Sequence, residues 1–307
     1  MADSILTYNP NPTRPTLKLP AGACDSHVHV FGPGARFPYA EKRNFTPVDA
    51  PKEALFALHR QLGIDRCVIV QSTVHGLDNS VVEDAIQAGG GNYLGVALVP
   101  HQVPDAELKR LKAAGFRGVR FNFMKHLGHG ATPHDVVALS QRLAPLDLHL
   151  QIHFSSDLIH ELAPVLKQSA VPVVIDHIGR VDAALGENHA DFRALCELLK
   201  DPRFHVKVSG VDRVSKAWPY ADGVALARRL LQEFPDRCFW GTDWPHPNHH
   251  HVPDDAALAD LIALIAPKPE LLLALMVNNP ESFYKFNTWR DRPSALSPTG
   301  PTTLHHG

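Results

Sequence analysis

The feature that most constrains this chain is the alternation of short β-type runs with longer helical patterns along most of its length. Most of the eight runs are separated by segments in which apolar residues recur every three or four positions. The runs span 23–30, 67–71, 93–99, 118–123, 149–154, 172–176, 205–209 and 237–241, and the clearest helical patterns span 55–62, 106–114, 158–166 and 192–199. This alternation predicts an α/β fold, a (β/α)8 TIM barrel. A doubly wound open sheet is the alternative, but the chain lacks the glycine-rich phosphate turn typical of that fold.

The two ends of the chain differ in composition from this repeating region. Residues 1–20 carry several prolines and are predicted to form an extended N-terminal arm. Residues 21–290 show no internal boundary and are predicted to form a single (β/α)8 barrel domain. Residues 291–307 are rich in proline, serine and threonine, which predicts a flexible tail.

Charge and cysteine content exclude several classes of partner. The 30 lysines and arginines nearly balance the 32 aspartates and glutamates, and no basic stripe indicates binding to nucleic acid or to an anionic membrane. The four cysteines form no CxxC pair, and the N-terminus has no apolar segment of signal-peptide length. The sequence therefore predicts a cytoplasmic protein with reduced cysteines and a small-molecule partner, and leaves homo-oligomerisation open.

Polar side chains concentrate at the carboxyl ends of the predicted strands, where TIM barrels carry catalytic groups. The first strand supplies Asp25, His27 and His29, which the two-residue period of a strand points to one side. Later strand ends supply Arg120, Asn122, Gln151, His153, Asp176, His177, Lys207, Asp212, Arg213 and Asp243. One histidine at a strand end is usually a hydrogen-bonded structural residue, but side chains of this chemistry at six strand ends indicate an active site.

The types of these residues suggest a metal centre. His27 and His29, with His153 from the fifth strand and Asp243 from the eighth, would form a shell of three nitrogens and one oxygen with an open position. A zinc ion held there would lower the pKa of a bound water towards about 7. His177 would act as a base or hold a carbonyl, and Asp243 would bind the metal, take a proton from water, or do both.

Five longer strings resemble the amidohydrolase superfamily and, within it, the lactonases similar to 2-pyrone-4,6-dicarboxylate hydrolase. The resemblance covers about residues 20–290. The strings are DSHVHVFGPGARFPYA (25–40), VIVQSTVHGLDN (68–79), GVRFNFMK (118–125), VIDHIGR (174–180) and WGTDWPHPN (240–248). Barrels of this superfamily carry His-x-His on the first strand, histidines on the fifth and sixth, and aspartate on the eighth.

The resemblance implies a carboxylic-ester hydrolase of aromatic-compound catabolism, which opens the ring of 2-pyrone-4,6-dicarboxylate to give 4-oxalomesaconate. The catalytic residues would be Asp243, which activates water, with His177, His27 and His29. A dicarboxylate requires cationic and hydroxyl groups, and arginine pairs with carboxylates through two hydrogen bonds. The predicted substrate-binding residues are Arg120, Arg213, Arg180, Thr73, His153, Tyr39 and His246. Barrel-rim salt bridges are the alternative role for the arginines, and bracing of Asp243 is the alternative for His246.

Two departures from the pattern of this group bear on metal and substrate. His126 stands where the pyrone hydrolases have a second arginine, and His153 stands where some have a tyrosine. Members with that tyrosine work without a metal, so His153 predicts one Zn²⁺ or another divalent metal, with a metal-independent mechanism as the alternative. Other candidates are a zinc hydrolase of a sulfo- or carboxymuconolactone, a zinc-dependent decarboxylase, a lactone isomerase, and a non-catalytic binding protein.

Overall fold

The computed structural model describes residues 4–124, 130–249 and 251–286 and contains one sheet of eight strands in sequence order. Each strand pairs in parallel with the next along the chain. The strands are β1 (Cys24–Val28), β2 (Arg66–Val70), β3 (Tyr93–Leu98), β4 (Phe116–Phe123), β5 (His149–Phe154), β6 (Val173–Ile175), β7 (Phe204–Lys207) and β8 (Cys238–Phe239). This order confirms the predicted (β/α)8 barrel and rules out the doubly wound sheet.

Helices follow the strands and surround the barrel. They are α1 (Lys52–Leu62), α2 (Ser80–Ala88), α3 (Asp105–Ala113), α4 (Pro133–Leu143), α5 (Ile159–Leu166), α6 (Ala190–Leu199), α7 (Val211–Val214), α8 (Ala221–Glu233), α9 (Asp255–Asp260), α10 (Ile262–Ile265), α11 (Pro269–Leu273) and α12 (Asn279–Tyr284). A π-helical turn, Ala274–Asn278, joins α11 to α12. The four predicted helical patterns correspond to α1, α3, α5 and α6.

The core has two parts because strand side chains alternate between the two faces of the sheet. On β2, Cys67 and Ile69 pack against the helices, whereas Val68 and Val70 belong to a smaller cluster with residues of the other strands. Tyr284 and Phe286 at the end of the described chain join this second cluster. Apolar packing therefore fills one end of the barrel and leaves the carboxyl ends of the strands to polar side chains.

The barrel closes at the junction of β8 and β1, which we call the seam. Here β8 is only two residues long, and the bonds across the seam come mainly from the segment that follows it. The Ser26 amide donates to the Trp240 carbonyl over 2.8 Å, and the Asp243 amide donates to the His27 carbonyl over 2.8 Å. The seam therefore joins two residues of the predicted active site through their backbones.

The described part of the N-terminal arm lies against the barrel. The ring of Tyr8 meets Trp244 edge-on at 5.1 Å, and the Thr16 amide donates to Asp260 of α9 over 2.8 Å. His126, the predicted tail and the last residues assigned to the barrel domain (287–290) lie outside the described residues. No helix in the three described ranges has the length and apolar character needed to span a bilayer.

Candidate active site at the carboxyl ends of the strands

A polar pocket opens at the carboxyl ends of the strands. Most of its lining comes from strand ends and from the loops that follow them. The lining residues are His29, Ser72, Thr73, Arg120, Met124, His153, His177, Arg180, Arg213, Asp243, Pro247 and Asn248. Residues from seven of the eight strands, or from the segments that follow them, therefore converge on one cavity, as expected for a TIM-barrel active site.

The carboxylate of Asp243 lies at the centre of this pocket and is 1% exposed. Its Oδ1 atom lies 3.3 Å from Nε2 of His29, 3.7 Å from Nε2 of His27 and 3.8 Å from Nε2 of His177. Its Oδ2 atom accepts a short hydrogen bond from Nε of Arg213. Burial alone would raise the pKa of Asp243, but the guanidinium of Arg213 outweighs it and holds that pKa well below its usual range. Asp243 is therefore a carboxylate at neutral pH, with one oxygen held and the other facing three imidazoles.

The protonation of His27 and His29 can be deduced from their other ring nitrogens. Nδ1 of His29 lies 2.7 Å from the Val70 carbonyl oxygen, which can only accept, so Nδ1 carries the proton and Nε2 has a lone pair. Nδ1 of His27 lies 3.3 Å from a carboxylate oxygen of Asp176, which favours the same tautomer. Burial, reinforced by Lys207, lowers the pKa of His27 to about 4, and burial also lowers the pKa of His29. Both rings are therefore neutral at pH 7, and both direct a lone pair towards Asp243.

These three residues fit a divalent cation. Ligand atoms of His27, His29 and Asp243 all lie within 4.8 Å of one another. Within the described part of the chain, Nε2 of His27 and Oδ1 of Asp243 have no hydrogen-bond partner although both are buried. Buried polar atoms without partners are costly, and two imidazole nitrogens with one carboxylate oxygen are a donor set typical of zinc. The contacts of Nδ1 in both rings are those that orient histidine ligands in metal sites.

His177 and Arg180 reach the pocket from an unusual turn after β6. Residues 177–180 all have positive φ, at 47°, 55°, 62° and 56°, and we call them the left-handed turn. A left-handed conformation costs roughly 1–2 kcal/mol per residue other than glycine, and Ile178 is also β-branched. His177 and Arg180, the first and last residues of the turn, both line the pocket.

Asp176, which precedes that turn, lies beneath the pocket and is fully buried. Its Oδ2 accepts from Nε of Arg120 over 2.8 Å and from the Gln151 amide over 3.2 Å. The ammonium group of Lys207 lies 3.9 Å from Oδ1 and donates to Gln151 over 2.8 Å. Asp176 therefore holds Arg120 in place and also contacts His27.

The three arginines of the pocket differ in their partners. Arg120 pairs with Asp176, and Arg213 pairs with Asp243. For Arg180, no hydrogen bond or ion pair is found among the residues that the structure describes. Burial and the neighbouring Arg213 lower the pKa of Arg180 to about 10. An unpaired, partly buried guanidinium facing a pocket is an anion-binding group.

A second group of potential metal-binding atoms lies at the rim, formed by Asp212, His249 and His251. Nε2 of His249 lies 2.7 Å from Oδ2 of Asp212, and Nε2 of His251 lies 2.8 Å from the Tyr220 hydroxyl. Unlike Nε2 of His27 in the central group, the ring nitrogens of His249 and His251 therefore have ordinary hydrogen-bond partners.

Comparison with known proteins agrees with this geometry. The family model described as amidohydrolase matches residues 24–286, which includes every strand of the barrel. The chain belongs to the amidohydrolase family.

Three relatives of this amidohydrolase cover nearly the whole chain. A 2-pyrone-4,6-dicarboxylate hydrolase of Comamonas testosteroni is 43% identical over 91% of this chain and 95% of its own. A 4-sulfomuconolactone hydrolase of Hydrogenophaga intermedia is 40% identical over 89% and 91%. A solved structure of a probable 2-pyrone-4,6-dicarboxylic acid hydrolase from Acinetobacter baumannii, with citric acid bound, superposes with a TM-score of 0.77 at 27% identity, over 86% of this chain and 100% of that chain.

Most residues predicted for the site lie in or next to the pocket of this amidohydrolase. His29, His153, His177, Arg120, Arg180, Arg213, Thr73 and Asp243 line it, and His27 contacts Asp243 from below. His153 is not part of the group formed by His27, His29 and Asp243. Its Nδ1 contacts the Asn122 side chain over 3.1 Å, and its buried Nε2 has no partner among the described residues. The structure therefore places His153 in the pocket wall, apart from the three clustered ligands.

Two predicted substrate contacts of the amidohydrolase lie elsewhere. The Tyr39 hydroxyl donates to Asp49 over 2.6 Å, and Tyr39 is not among the pocket-lining residues. Nε2 of His246 contacts the buried carboxylate of Asp255 over 3.0 Å, and the His246 amide donates to the Asp243 carbonyl over 2.8 Å. Of the two roles weighed for His246, the structure therefore shows contact with Asp243 through the backbone rather than a place in the pocket.

Several residues that support the site were not assigned to it from the sequence. Met124, Ser72 and Asn248 line the pocket, and Asp176 and Lys207 lie beneath it. Asp176 and Lys207 stand at predicted strand ends, and this position is the sequence feature that could have assigned them to the site. Nothing in the local sequence distinguishes a residue that contacts substrate from one that holds its neighbour.

Proposed function

We propose that this protein is a lactonase that hydrolyses 2-pyrone-4,6-dicarboxylate or a closely related dicarboxylate lactone. The observation that carries the proposal is Oδ1 of Asp243, which has no hydrogen-bond partner among the described residues. It belongs to a pocket whose wall also holds Arg180, which pairs with no residue that the structure describes. The first feature supplies a base for water, and the second supplies a counter-ion for an anionic substrate. The names of the two curated relatives, both lactone hydrolases, support the same chemistry.

The arginines of the pocket favour an anionic substrate. Asp176 pairs with Arg120 and Asp243 pairs with Arg213, whereas Arg180 has no carboxylate partner among the described residues. One carboxylate of a dicarboxylate would bind Arg180, and the other would reach Arg120 or Arg213, which also line the pocket. The citric acid bound in the Acinetobacter relative is a tricarboxylate, which supports a pocket for polyanions.

The proposed reaction is a general-base hydrolysis. Oδ1 of Asp243 takes a proton from water while the water oxygen attacks the lactone carbonyl carbon. The carbonyl oxygen becomes an oxyanion, which then re-forms the carbonyl as the bond from carbon to the ring oxygen breaks. Asp243 returns its proton to the departing ring oxygen, and the product is the open-chain acid. The hydrogen bond from Arg213 to Oδ2 keeps Asp243 oriented throughout.

The imidazoles have different roles in this scheme. Because His27 and His29 carry their protons on Nδ1, neutral rings cannot donate to a substrate oxygen from Nε2, and this favours the metal-dependent form of the reaction. A divalent cation held by His27, His29 and Asp243, with zinc as the best match to these donors, would supply Lewis-acid activation of water or carbonyl. Nδ1 of His177 contacts the Ser209 hydroxyl over 3.1 Å, which can donate or accept. His177 can therefore carry its proton on Nε2 and donate to the oxyanion.

The test is turnover of 2-pyrone-4,6-dicarboxylate, followed by ultraviolet absorbance, with the metal content of the same sample measured. We expect ring opening that falls on chelation and returns when zinc is added. Undiminished turnover by metal-free protein would leave hydrolysis standing and overturn the metal-dependent form. Absence of turnover on this substrate, with turnover of 4-sulfomuconolactone, would move the substrate to the sulfonated lactones. Absence of turnover on both would overturn the proposal.

Product analysis separates hydrolysis from the rival reactions. A hydrolase releases an open-chain acid that contains the elements of one water molecule and releases no CO₂. A decarboxylase would release CO₂, and a lactone isomerase would form a product of unchanged mass. Mass spectrometry in H₂¹⁸O therefore distinguishes the three, since only hydrolysis places the label in the new carboxylate.

A further inference from the structure

The seam contains a pair of buried side chains that the proposed reaction does not use directly. Asp25 on β1 and Thr242 after β8 are 0% and 1% exposed. The Thr242 hydroxyl donates to Oδ2 of Asp25 over 2.6 Å, and the Thr242 amide donates to Oδ1 over 3.1 Å. Oδ1 also accepts from the His27 amide over 3.1 Å. One carboxylate therefore binds the backbone of a predicted metal ligand on one side and the residue before Asp243 on the other.

The Thr242 hydroxyl also fixes the residue that follows Asp243. Its single proton goes to Asp25, and its oxygen accepts from the Trp244 amide over 3.1 Å. Asp243 itself has φ of 63°, a left-handed conformation that is unfavourable for any residue with a Cβ atom. The residues on both sides of this strained position are therefore tied to Asp25 through one hydroxyl group.

The packing around this pair leaves little room for adjustment. A Cβ atom at Gly241 would lie 2.6 Å from the His27 amide nitrogen and 2.9 Å from Oδ1 of Asp25, so only glycine allows the two segments to approach this closely. Behind the pair, Nε2 of His59 lies 3.5 Å from Oδ2 of Asp25, and Nδ1 of His59 contacts the Tyr93 hydroxyl over 2.7 Å.

We propose that Asp25 and Thr242 are positioning residues, which hold the backbone of Asp243 so that its carboxylate reaches both Arg213 and the imidazoles. This inference rests on the proposed function, because it assigns the pair a role in the lactonase reaction. Neither residue lines the pocket, so loss of the pair should slow the chemical step and leave substrate binding largely intact. A displacement of about 1 Å at a reacting group can cost about 100-fold in rate.

The decisive comparison is Thr242→Val against Thr242→Ser. Valine keeps the shape and loses both hydrogen bonds of the hydroxyl, whereas serine keeps them. We expect Thr242→Val to lower kcat by about tenfold or more with KM within about threefold, and Thr242→Ser to stay within about threefold of the parent. Ser156→Ala is the matched control, because the Ser156 hydroxyl donates to Asp191 over 2.7 Å away from the pocket, and kcat should not change.

Two results would overturn the proposal: a folded Thr242→Val protein with kcat within threefold of the parent, or a Thr242→Ser protein as impaired as Thr242→Val. If Thr242→Val does not fold, the isosteric Asp25→Asn replaces it under the same criteria. If the parent turns over no lactone, the proposed function fails, and hydrogen exchange decides the positioning role separately. Faster amide hydrogen exchange in Thr242→Val than in Thr242→Ser, with the difference confined to residues 240–246, would then support the positioning role. Equal exchange in the two variants would overturn that role.

Discussion

Replacing Arg180 with methionine should make this protein more stable and less active at once. Arg180 faces the pocket without an anionic partner among the described residues, beside the cation of Arg213. Burial and that neighbour lower its pKa to about 10, from about 12.5 for a free arginine. At about 1.4 kcal/mol for each factor of ten, keeping Arg180 charged destabilises the folded protein by about 3 kcal/mol.

The sign of this effect depends on pH in a defined way. The pKa of Arg180 is lower in the folded than in the unfolded protein, so the cost is complete below pH 10 and is relieved only as pH rises from there towards 12.5. At pH 7, methionine should therefore raise the free energy of unfolding by about 1–3 kcal/mol, with lost packing offsetting part of the gain. The measurement is urea unfolding of both proteins without substrate.

The same substitution should weaken substrate binding. A hydrogen bond from a charged group is worth roughly 1.5–3 kcal/mol, so KM for a dicarboxylate lactone should rise about 10- to 100-fold with a smaller change in kcat.

Arg66→Met is the matched control. Arg66 is buried but pairs with Glu281 over 2.7 Å, so its loss should lower stability and leave KM unchanged. An Arg180→Met protein that is no more stable than the parent and has the parent's KM would refute the reasoning.

Three further changes test other parts of the site. Asp243→Asn should reduce turnover by about a thousandfold or more with substrate affinity retained in calorimetry, since an amide cannot take the proton from water; near-normal turnover would remove Asp243 as the base. Gly210→Ala places a Cβ atom 3.0 Å from Nδ1 of His177 at φ of 71°, so it should lower both kcat and the free energy of unfolding, the latter by about 1–2 kcal/mol. Gly63→Ala is the control, because Gly63 has φ of 74° but a Cβ atom there would meet no atom within 4 Å. This variant should lower the free energy of unfolding and leave kcat unchanged. Equal losses of kcat in the two variants would contradict a role for the contact with His177. Burial lowers the pKa of Lys207 to about 8. The free energy of unfolding of the parent, measured relative to Lys207→Met, should therefore rise between pH 8 and 10.5. A difference that does not change over this range would show that Lys207 titrates normally.

The barrel could be predicted because its signal repeats. Each strand is a short apolar run between helical patterns, and an error at one strand does not affect the other seven. A mismatch occurs at β8, which is predicted over 237–241 and observed as Cys238–Phe239. There the chain leaves the sheet early because Gly241 passes close to β1, an approach between segments distant in sequence that no local pattern encodes.

The candidate site could be predicted in part for a related reason. His27, His29 and Asp243 stand at strand ends, so the fold alone brings them together. Tyr39 and His246 lie in loops, and their partners, Asp49 and Asp255, decide where they point. Nor does the sequence show the left-handed turn, since a β-branched Ile178 favours extended backbone and only the surrounding structure holds it at positive φ.

The seam also determines when the site can first exist. Asp25 and Thr242 lie 217 positions apart, so the bonds that hold Asp243 join the first strand of the barrel to the segment after the last. During synthesis, the ribosome must release nearly the entire barrel before these two segments can meet. A nascent chain or a fragment truncated before β8 would contain His27, His29 and Arg213 but would lack both Asp243 and Thr242. Activity would therefore report only chains in which β8 and the segment after it are complete.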